Sequence, residues 1–226
     1  MKTLISILTV LSLLSFGSYS LAEELDIVDA IQTKKIEVQA EGSGIDTVSV
    51  RIRKKVTSPL TIRIPVGTFF VSGNDSAQNM VSTSESSVEL SSKDWVSVSA
   101  DAACANRPKD IPVEGDKFSV QKSPQQAELA KLMPVLNNAG VDTETKQAAV
   151  WIVTDDADYE DLGTLVESPT GYGGTRAINE KEAANAMRIC EKAGIDITKK
   201  AIWNDRKEIL KDLKDNDLKI WLKNKK

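Results

Sequence analysis

Apolar and polar positions alternate with a period of two over most of residues 35–120, where β-branched side chains are frequent. Clusters of Gly, Asn, Asp and Ser divide this alternation into short segments, and Pro59 and Pro65 bracket one of them, as expected for a strand. The clearest alternating apolar side chains are Ile36, Val38, Ala40, Val48, Val50, Ile52, Leu60, Ile62 and Ile64. Evenly spaced short strands with one apolar face are typical of an antiparallel sandwich. The pattern therefore predicts a β-sandwich domain over residues 23–121.

The period becomes helical after residue 122. Ser123 is a good N-cap, Pro124 suits the first helical position, and Gln126 completes a capping box. The apolar spacing that follows predicts a helix as far as Gly140, with a kink at Pro134.

Further capping signals predict more helices. Asp142 can cap a second helix, and Asn179 with Glu182 forms a capping box for a helix that stops at Gly194. We therefore expect a helical region over residues 122–226, and an α+β fold class for the whole chain.

The C-terminal segment carries a narrow apolar stripe among lysines. The stripe consists of Ile209, Leu210, Leu213, Leu218, Trp221 and Leu222. A basic amphipathic helix can lie on an anionic membrane, but such a stripe more often packs on its own protein. We expect packing, and no association with a membrane.

Residues 1–22 have the organisation of a secretory signal peptide. Lys2 precedes an apolar run over residues 4–16, and Ala22 ends a segment of small residues suited to signal peptidase. The apolar run is too short to span a bilayer. We expect cleavage near Ala22, a mature chain that starts at Glu23, and a secreted or periplasmic location.

The composition excludes several classes of function. The formal net charge is −4, whereas a nucleic-acid partner requires a strongly basic face, so we expect none. The chain has no histidine, which excludes a Ser-His-Asp triad, a Cys-His pair and a His-ligated metal. The 2 cysteines are too few for a Cys-rich metal site. An enzyme would have to use carboxylates, Lys, Tyr or a lone thiol, and we therefore favour binding over catalysis.

Two short segments carry a resemblance to a known family. Cys104 lies in the segment ACANRP, and Gln147 begins the segment QAAVW. This pair resembles the thioester domains of bacterial surface adhesins, in which a Cys precedes a Pro-containing loop and a Thr-Gln-x-Ala segment continues into Ile-Trp. The resemblance implies that Cys104 and Gln147 join as an internal thioester that amines on host proteins attack. It also implies a shielding or packing role for Trp151.

The second cysteine, Cys190, is another possible bonding partner for the sulfur of Cys104. Cysteines of exported chains usually pair, so a disulfide between Cys104 and Cys190 is the prediction we favour. Two free buried thiols and the thioester remain alternatives. Cys104 has one sulfur, so the disulfide and the thioester exclude each other.

An acidic segment follows Thr154. Counted from Asp156, it places Asp156, Asp158, Glu160 and Glu167 at ligand positions of a calcium-loop template. The template requires Gly at its sixth position, where this chain has Asp161. We therefore expect a solvated acidic turn and no cofactor, with weak calcium binding as the alternative.

The remaining candidates are contacts for a partner. We expect a binding surface to include Asn106, Arg107, Trp151, Tyr172 and Arg176, close to the ends of strands and the start of a helix. The function we favour is that of an exported, non-catalytic binding or adhesion protein whose partner is a protein or a surface ligand.

Two alternatives differ in class from that function. One is covalent capture of amines through the Cys104–Gln147 thioester. The other is a carboxylate-based hydrolase that uses Asp155, Asp156 or Glu160, which requires two acids that converge in a cleft.

Overall fold

The computed structural model describes residues 22–122, 127–163 and 177–225, and it shows an α+β fold with many antiparallel strands. The strands are β1 (Glu23–Asp26), β2 (Ile36–Gly42), β3 (Thr47–Lys54), β4 (Leu60–Ile64), β5 (Phe69–Ser72), β6 (Asn79–Ser82), β7 (Ser86–Leu90), β8 (Val96–Ala105) and β9 (Lys117–Gln121). The helices are α1 (Ile27–Gln32), α2 (Ala127–Asn137), α3 (Thr143–Thr154), α4 (Glu180–Lys192), α5 (Arg206–Asp212) and α6 (Asn216–Asn224). The α+β fold class predicted from the sequence is therefore confirmed.

The prediction of a β-sandwich is wrong, because six of the strands form a closed barrel in the order β2-β3-β8-β6-β5-β9. Strand β9 closes it by pairing with both β2 and β5, for example Ala40 with Phe118 and Phe69 with Gln121. Alternation along a strand determines which side chains share a face, but not which strand lies beside it. The closing pairs join residues far apart in the chain, so the pattern alone could not distinguish a barrel from a sandwich.

The barrel interior is apolar, and its outer surface is polar on the β2-β3-β8 side. Val48, Val50 and Ile52 of β3 are fully buried and alternate with more exposed polar residues. The register of β3 with β8 places Val50 opposite Val98, so both strands direct the same face inwards. The period-two pattern thus identified the core face of these strands correctly.

A second sheet contains the three remaining strands in the order β1-β4-β7. Strand β1 pairs in parallel with β4, and β4 pairs antiparallel with β7, so this sheet is mixed. Helix α1 follows β1 directly and begins where the side chain of Asp26 accepts a hydrogen bond from the backbone N–H of Val28 (2.7 Å). The sequence pattern did not predict β1 or α1, which are only 4 and 6 residues long.

The helical caps follow the sequence signals. Asp142 accepts from the backbone N–H of Thr145 at 2.8 Å and so caps α3, and Asn179 and Glu182 form the predicted capping box of α4. Gly194 follows α4 with a φ of +75°, a conformation that suits glycine at a helix end. The predicted cap at Ser123, Pro124 and Gln126 lies outside the described residues.

Helix α3 packs against both the barrel strand β8 and helix α4, so its surroundings are apolar on almost every side. Eight of its twelve residues are buried, including Trp151 at 1% exposure. Because α3 is buried on most faces, it joins the barrel and the other helices in one continuous core. The arrangement brings residues of α3 next to the end of β8.

The C-terminal stripe packs on the protein, as predicted. Leu213, Leu218 and Leu222 are buried, and the indole N–H of Trp221 donates to Glu191 of α4 at 2.6 Å. Among the residues that the structure describes, no helix has the length and apolarity needed to cross a bilayer.

Candidate functional site

Cys104 and Gln147, 43 residues apart in the chain, are in direct contact where the barrel meets the helices. Cys104 lies near the end of β8 and pairs with Met80 of β6 on one side. On the other side the pairing of β8 with β3 ends at Thr47 opposite Asp101. The backbone of Cys104 therefore faces an edge that no residue of β3 reaches.

The carboxamide of Gln147 occupies this edge. Its Oε1 accepts from the backbone N–H of Cys104, and its Nε2 donates to the carbonyl of Cys104, both at 2.8 Å. Gln147 is 2% exposed, so both hydrogen bonds are shielded from water. A primary amide carries the same donor and acceptor as a peptide group, so Gln147 replaces one residue of a neighbouring strand. It thereby anchors α3 to the barrel.

The thiol of Cys104 points away from this pairing. Its Sγ lies 3.7 Å from the carbonyl oxygen of Ile45. Burial, with a smaller contribution from the negative charge of Asp46, raises the pKa of Cys104 to about 12. The thiol is therefore protonated at neutral pH, and a protonated thiol is a poor nucleophile.

The predicted disulfide between Cys104 and Cys190 is wrong, because both cysteines are free and buried. Helix α3 lies between them: Cys104 contacts Gln147, whereas the Sγ of Cys190 lies 3.9 Å from the carbonyl oxygen of Ala149. Burial raises the pKa of Cys190 to about 12 as well. Two free buried thiols were an alternative in the sequence analysis, and the packing order of β8, α3 and α4 is what separates the two cysteines.

Trp151, one turn after Gln147, is buried against the same strands. Its indole N–H donates to the side-chain oxygen of Gln78 at 3.3 Å, and the Gln78 amide donates to the carbonyl of Lys109 at 2.9 Å. Gln78 is itself 2% exposed. Trp151 therefore packs between the barrel and the loop after β8, and it is not a surface contact.

Asn106 and Arg107 form the turn that follows β8. Asn106 has a φ of +71°, in the left-handed region that Asn tolerates better than most residues. The backbone N–H of Arg107 donates to Asp155 at 3.1 Å, and the Arg107 guanidinium forms an ion pair with Asp161. We call this region the junction; it comprises residues 104–110 and 147–161. Of the predicted binding residues, the junction contains Asn106, Arg107 and Trp151.

The acidic segment belongs to the junction, and its carboxylates bind backbone groups. Asp156 accepts from the N–H of Ala201 at 3.0 Å, and Asp158 accepts from the N–H of Asp161 at 2.8 Å. Glu160 is exposed and borders a surface cavity of about 200 Å³ with Asp158, Tyr159, Asp205 and Glu208. Within the described residues, no three acidic or thiol side chains are grouped so that they could hold a metal ion. Glu167 of the calcium template lies outside these residues.

Two of the three acids considered for hydrolysis, Asp155 and Asp156, are also engaged locally. Asp155 accepts from the backbone N–H of Arg107 and from the hydroxyl of Thr154 at 2.6 Å. Asp156 adopts a φ of +51° while it accepts from Ala201. These contacts hold the turn after α3 in position, so the carboxylates of Asp155 and Asp156 have a structural role.

The sequence analysis did not identify Gln78, which links Trp151 to Lys109 of the junction, and it considered Asp161 only as a residue that departs from the calcium template. Tyr172 and Arg176, two of the predicted binding residues, lie outside the described residues. Gln78 carries no local signal, because its partners Trp151 and Lys109 lie 73 and 31 residues away. The signal at Asp161 is its place in the calcium template, where it stands at the position that requires Gly. Its partner Arg107 was identifiable only from the fold.

No protein family model, curated protein or solved structure matches this chain. Its function is therefore inferred from the residues of the junction and of the barrel surface.

Proposed function

We propose that this protein is an exported, non-catalytic binding protein that holds a protein or surface ligand at the junction. The observation that carries the proposal is the double hydrogen bond between the Gln147 carboxamide and the backbone of Cys104. Both polar atoms of the amide are used, and the neighbouring thiol is buried with a raised pKa. Such groups stabilise a surface and position its loops, whereas a reaction requires groups that are free to change partners.

The exposed part of the junction suits a preformed contact. The side chain of Arg107 is 24% exposed. Its backbone N–H is held by Asp155, and its guanidinium is held by the ion pair with Asp161. A side chain that is already ordered loses little conformational entropy when a ligand binds. Arg107 and Asn106 are therefore the residues that we expect to contact the ligand first.

The proposed cleavage point lies directly before the first strand. β1 begins at Glu23, the residue that follows the predicted cleavage point at Ala22. The backbone N–H of Glu23 donates to the carbonyl of Pro59 at 3.3 Å, and its carboxylate pairs with Lys35 at 2.5 Å. A mature chain that starts at Glu23 thus retains every strand of the described fold.

The binding proposal is tested with the mature chain on an array of purified extracellular-matrix proteins and cell-wall polymers. We expect saturable binding to at least one of them, weakened about tenfold by Arg107→Ala and unchanged by Lys131→Ala, a matched loss of one exposed charge on α2. Absence of binding, or equal loss in both variants, contradicts a ligand site at the junction. Circular dichroism spectra and melting temperatures of the variants exclude unfolding as the cause.

A second function, covalent capture through a Cys104–Gln147 thioester, is favoured by one observation: these two residues are in contact. The thiol sulfur would attack the side-chain carbonyl carbon of Gln147, the carbon–nitrogen bond would break, and ammonia would leave with the thiol proton. An amine could then displace the sulfur and restore the thiol.

Intact mass spectrometry of the non-reduced mature protein separates the two proposals. The unmodified mass supports the non-catalytic protein. A mass lower by one ammonia, which methylamine converts into an adduct and which Gln147→Ala abolishes, supports the thioester instead and contradicts our first proposal.

A further inference from the structure

The outer surface of the barrel carries a second cluster, away from the junction, in which two guanidinium groups lie over one indole ring. The Cζ atoms of Arg51 and Arg53 are 5.3 and 4.8 Å from the ring centroid of Trp95. Both arginines are on β3, two residues apart, and therefore on the same face of the strand. We call Arg51, Arg53 and Trp95 the Arg–Trp cluster.

The two arginines differ in how their charge is balanced. Arg53 donates twice to Glu37, at 2.7 and 3.0 Å. Arg51 is exposed, and within the described part of the chain its only side-chain hydrogen bond is a long one to Gln39, at 3.4 Å. Lys55 lies 3.9 Å from the same Glu37 carboxylate, so that one acid serves two cations. The cluster therefore has an excess of positive charge in a chain whose formal net charge is −4.

Arg51 is flanked by hydrogen-bonding side chains. In the sheet register Gln39 and Ser97 lie on either side of Arg51, and all three residues are exposed. Adjacent strands are spaced by about 4.8 Å, so this row spans about 10 Å across the barrel surface. The indole N–H of Trp95 has no hydrogen-bond acceptor among the described residues, and it is not among their buried unsatisfied atoms.

We propose that the Arg–Trp cluster binds an acidic polysaccharide, a sugar chain that carries carboxylate groups. A guanidinium stacked on an aromatic ring keeps its N–H edge free for two parallel hydrogen bonds to a carboxylate. The amide of Gln39, the hydroxyl of Ser97 and the indole N–H of Trp95 match the hydroxyl groups of the sugars. The excess charge at Arg51 selects the acidic polymer over a neutral one, and a patch with so few cations is too small for the salt-dependent binding of nucleic acid.

This inference rests on the barrel surface and on the export proposed above, and it is independent of the ligand proposed for the junction. An exported protein meets such polymers in cell walls, capsules and extracellular matrix. The cluster would then hold the protein on a polymer while the junction engages its own ligand.

The experiment measures binding of the mature protein to immobilised polygalacturonate by biolayer interferometry at low and at physiological salt. We expect saturable binding that weakens with salt and is absent on neutral dextran. Arg51→Gln should weaken the binding about fivefold, and Arg51→Lys, which keeps the charge but not the paired N–H groups, should weaken it less. Arg206→Gln is the matched control, because Arg206 lies 4.7 Å from the ring centroid of Trp203, on the helical side of the protein.

Three results would overturn the proposal. The first is no binding of the wild type to polygalacturonate, and the second is an equal loss in the Arg51→Gln and Arg206→Gln variants. The third is equally tight binding to polyglutamate or to single-stranded DNA, which would show that charge alone is recognised. Arg107→Ala should leave binding to polygalacturonate unchanged, so failure of the junction proposal and failure of this one are distinguishable.

Discussion

Gln147 and Cys104 are joined as two paired strand residues would be, with the side-chain amide of one bound to both backbone groups of the other at 2.8 Å. The pairing gives Cys104 a partner three residues beyond Asp101, where the pairing of β8 with β3 ends. It explains why a polar side chain is 2% exposed in the middle of an apolar helix face.

Replacement of Gln147 should therefore destabilise the whole fold. Gln147→Met leaves the N–H and C=O of Cys104 buried without partners, and we expect the free energy of unfolding to fall by about 2–4 kcal/mol. Urea denaturation followed by tryptophan fluorescence measures the change. Gln32→Met, at the exposed end of α1, is the control and should change the free energy of unfolding by less than about 0.5 kcal/mol. A similar effect of both substitutions would contradict the role of Gln147 as a substitute for a strand residue.

The two buried thiols predict a loss of stability at alkaline pH. Burial raises the pKa of each from an ordinary value of 9.0 to about 12, so above pH 9 the unfolded chain releases these protons while the folded chain retains them. Stability is fully present below pH 9 and falls as pH rises towards 12, by about 1.4 kcal/mol per pH unit for each thiol.

The contribution of the thiols can be isolated by comparing variants at two pH values. Cys104→Ala and Cys190→Ala each cost some stability at every pH, because each leaves a small cavity. Between pH 8 and pH 10.5, however, each variant should lose less stability than the wild type. Parallel curves for wild type and variants would show that the thiols ionise equally in both states.

The ion pair between Arg107 and Asp161 should be coupled more strongly than an exposed pair. Its side chains are 24% and 33% exposed, against 81% and 50% for Lys199 and Asp196. A double-mutant cycle with Arg107→Gln and Asp161→Asn should give a coupling energy of about 1–2 kcal/mol, and the cycle at Lys199 and Asp196 less than about 0.5 kcal/mol. Equal coupling energies would mean that Arg107 is not fixed by Asp161.

The left-handed backbone of Asn106 predicts an unusual tolerance of glycine. Because its φ is +71°, Asn106→Gly should change the free energy of unfolding by less than about 0.5 kcal/mol, whereas Asn106→Val should lower it by about 1–2 kcal/mol. Asn185, inside α4, is the control: Asn185→Gly should lower the free energy of unfolding by about 0.5–1 kcal/mol, as is usual in a helix. Thermal denaturation of the three variants tests whether glycine is tolerated at Asn106 and destabilising at Asn185.

Much of the local structure follows from short-range chemistry. The alternation of Val48, Val50 and Ile52 identified a buried strand face, and the spacing of Asn179 and Glu182 identified a capping box. Both signals act within a few residues, where backbone geometry decides the outcome. The same signals could not show that β9 closes a barrel, because the alternation of apolar and polar residues in β9 does not indicate that it pairs with β2 and β5.

The sequence by itself determined the apolar faces, the helix ends and the absence of histidine chemistry, because these depend on residue type and on contacts between near neighbours. The tertiary structure alone decided which distant residues meet. It placed Gln147 beside Cys104, inserted α3 between Cys104 and Cys190, and brought Trp95 under two arginines of β3. Such encounters depend on the order in which strands and helices pack, and that order is fixed by the free energy of the complete core.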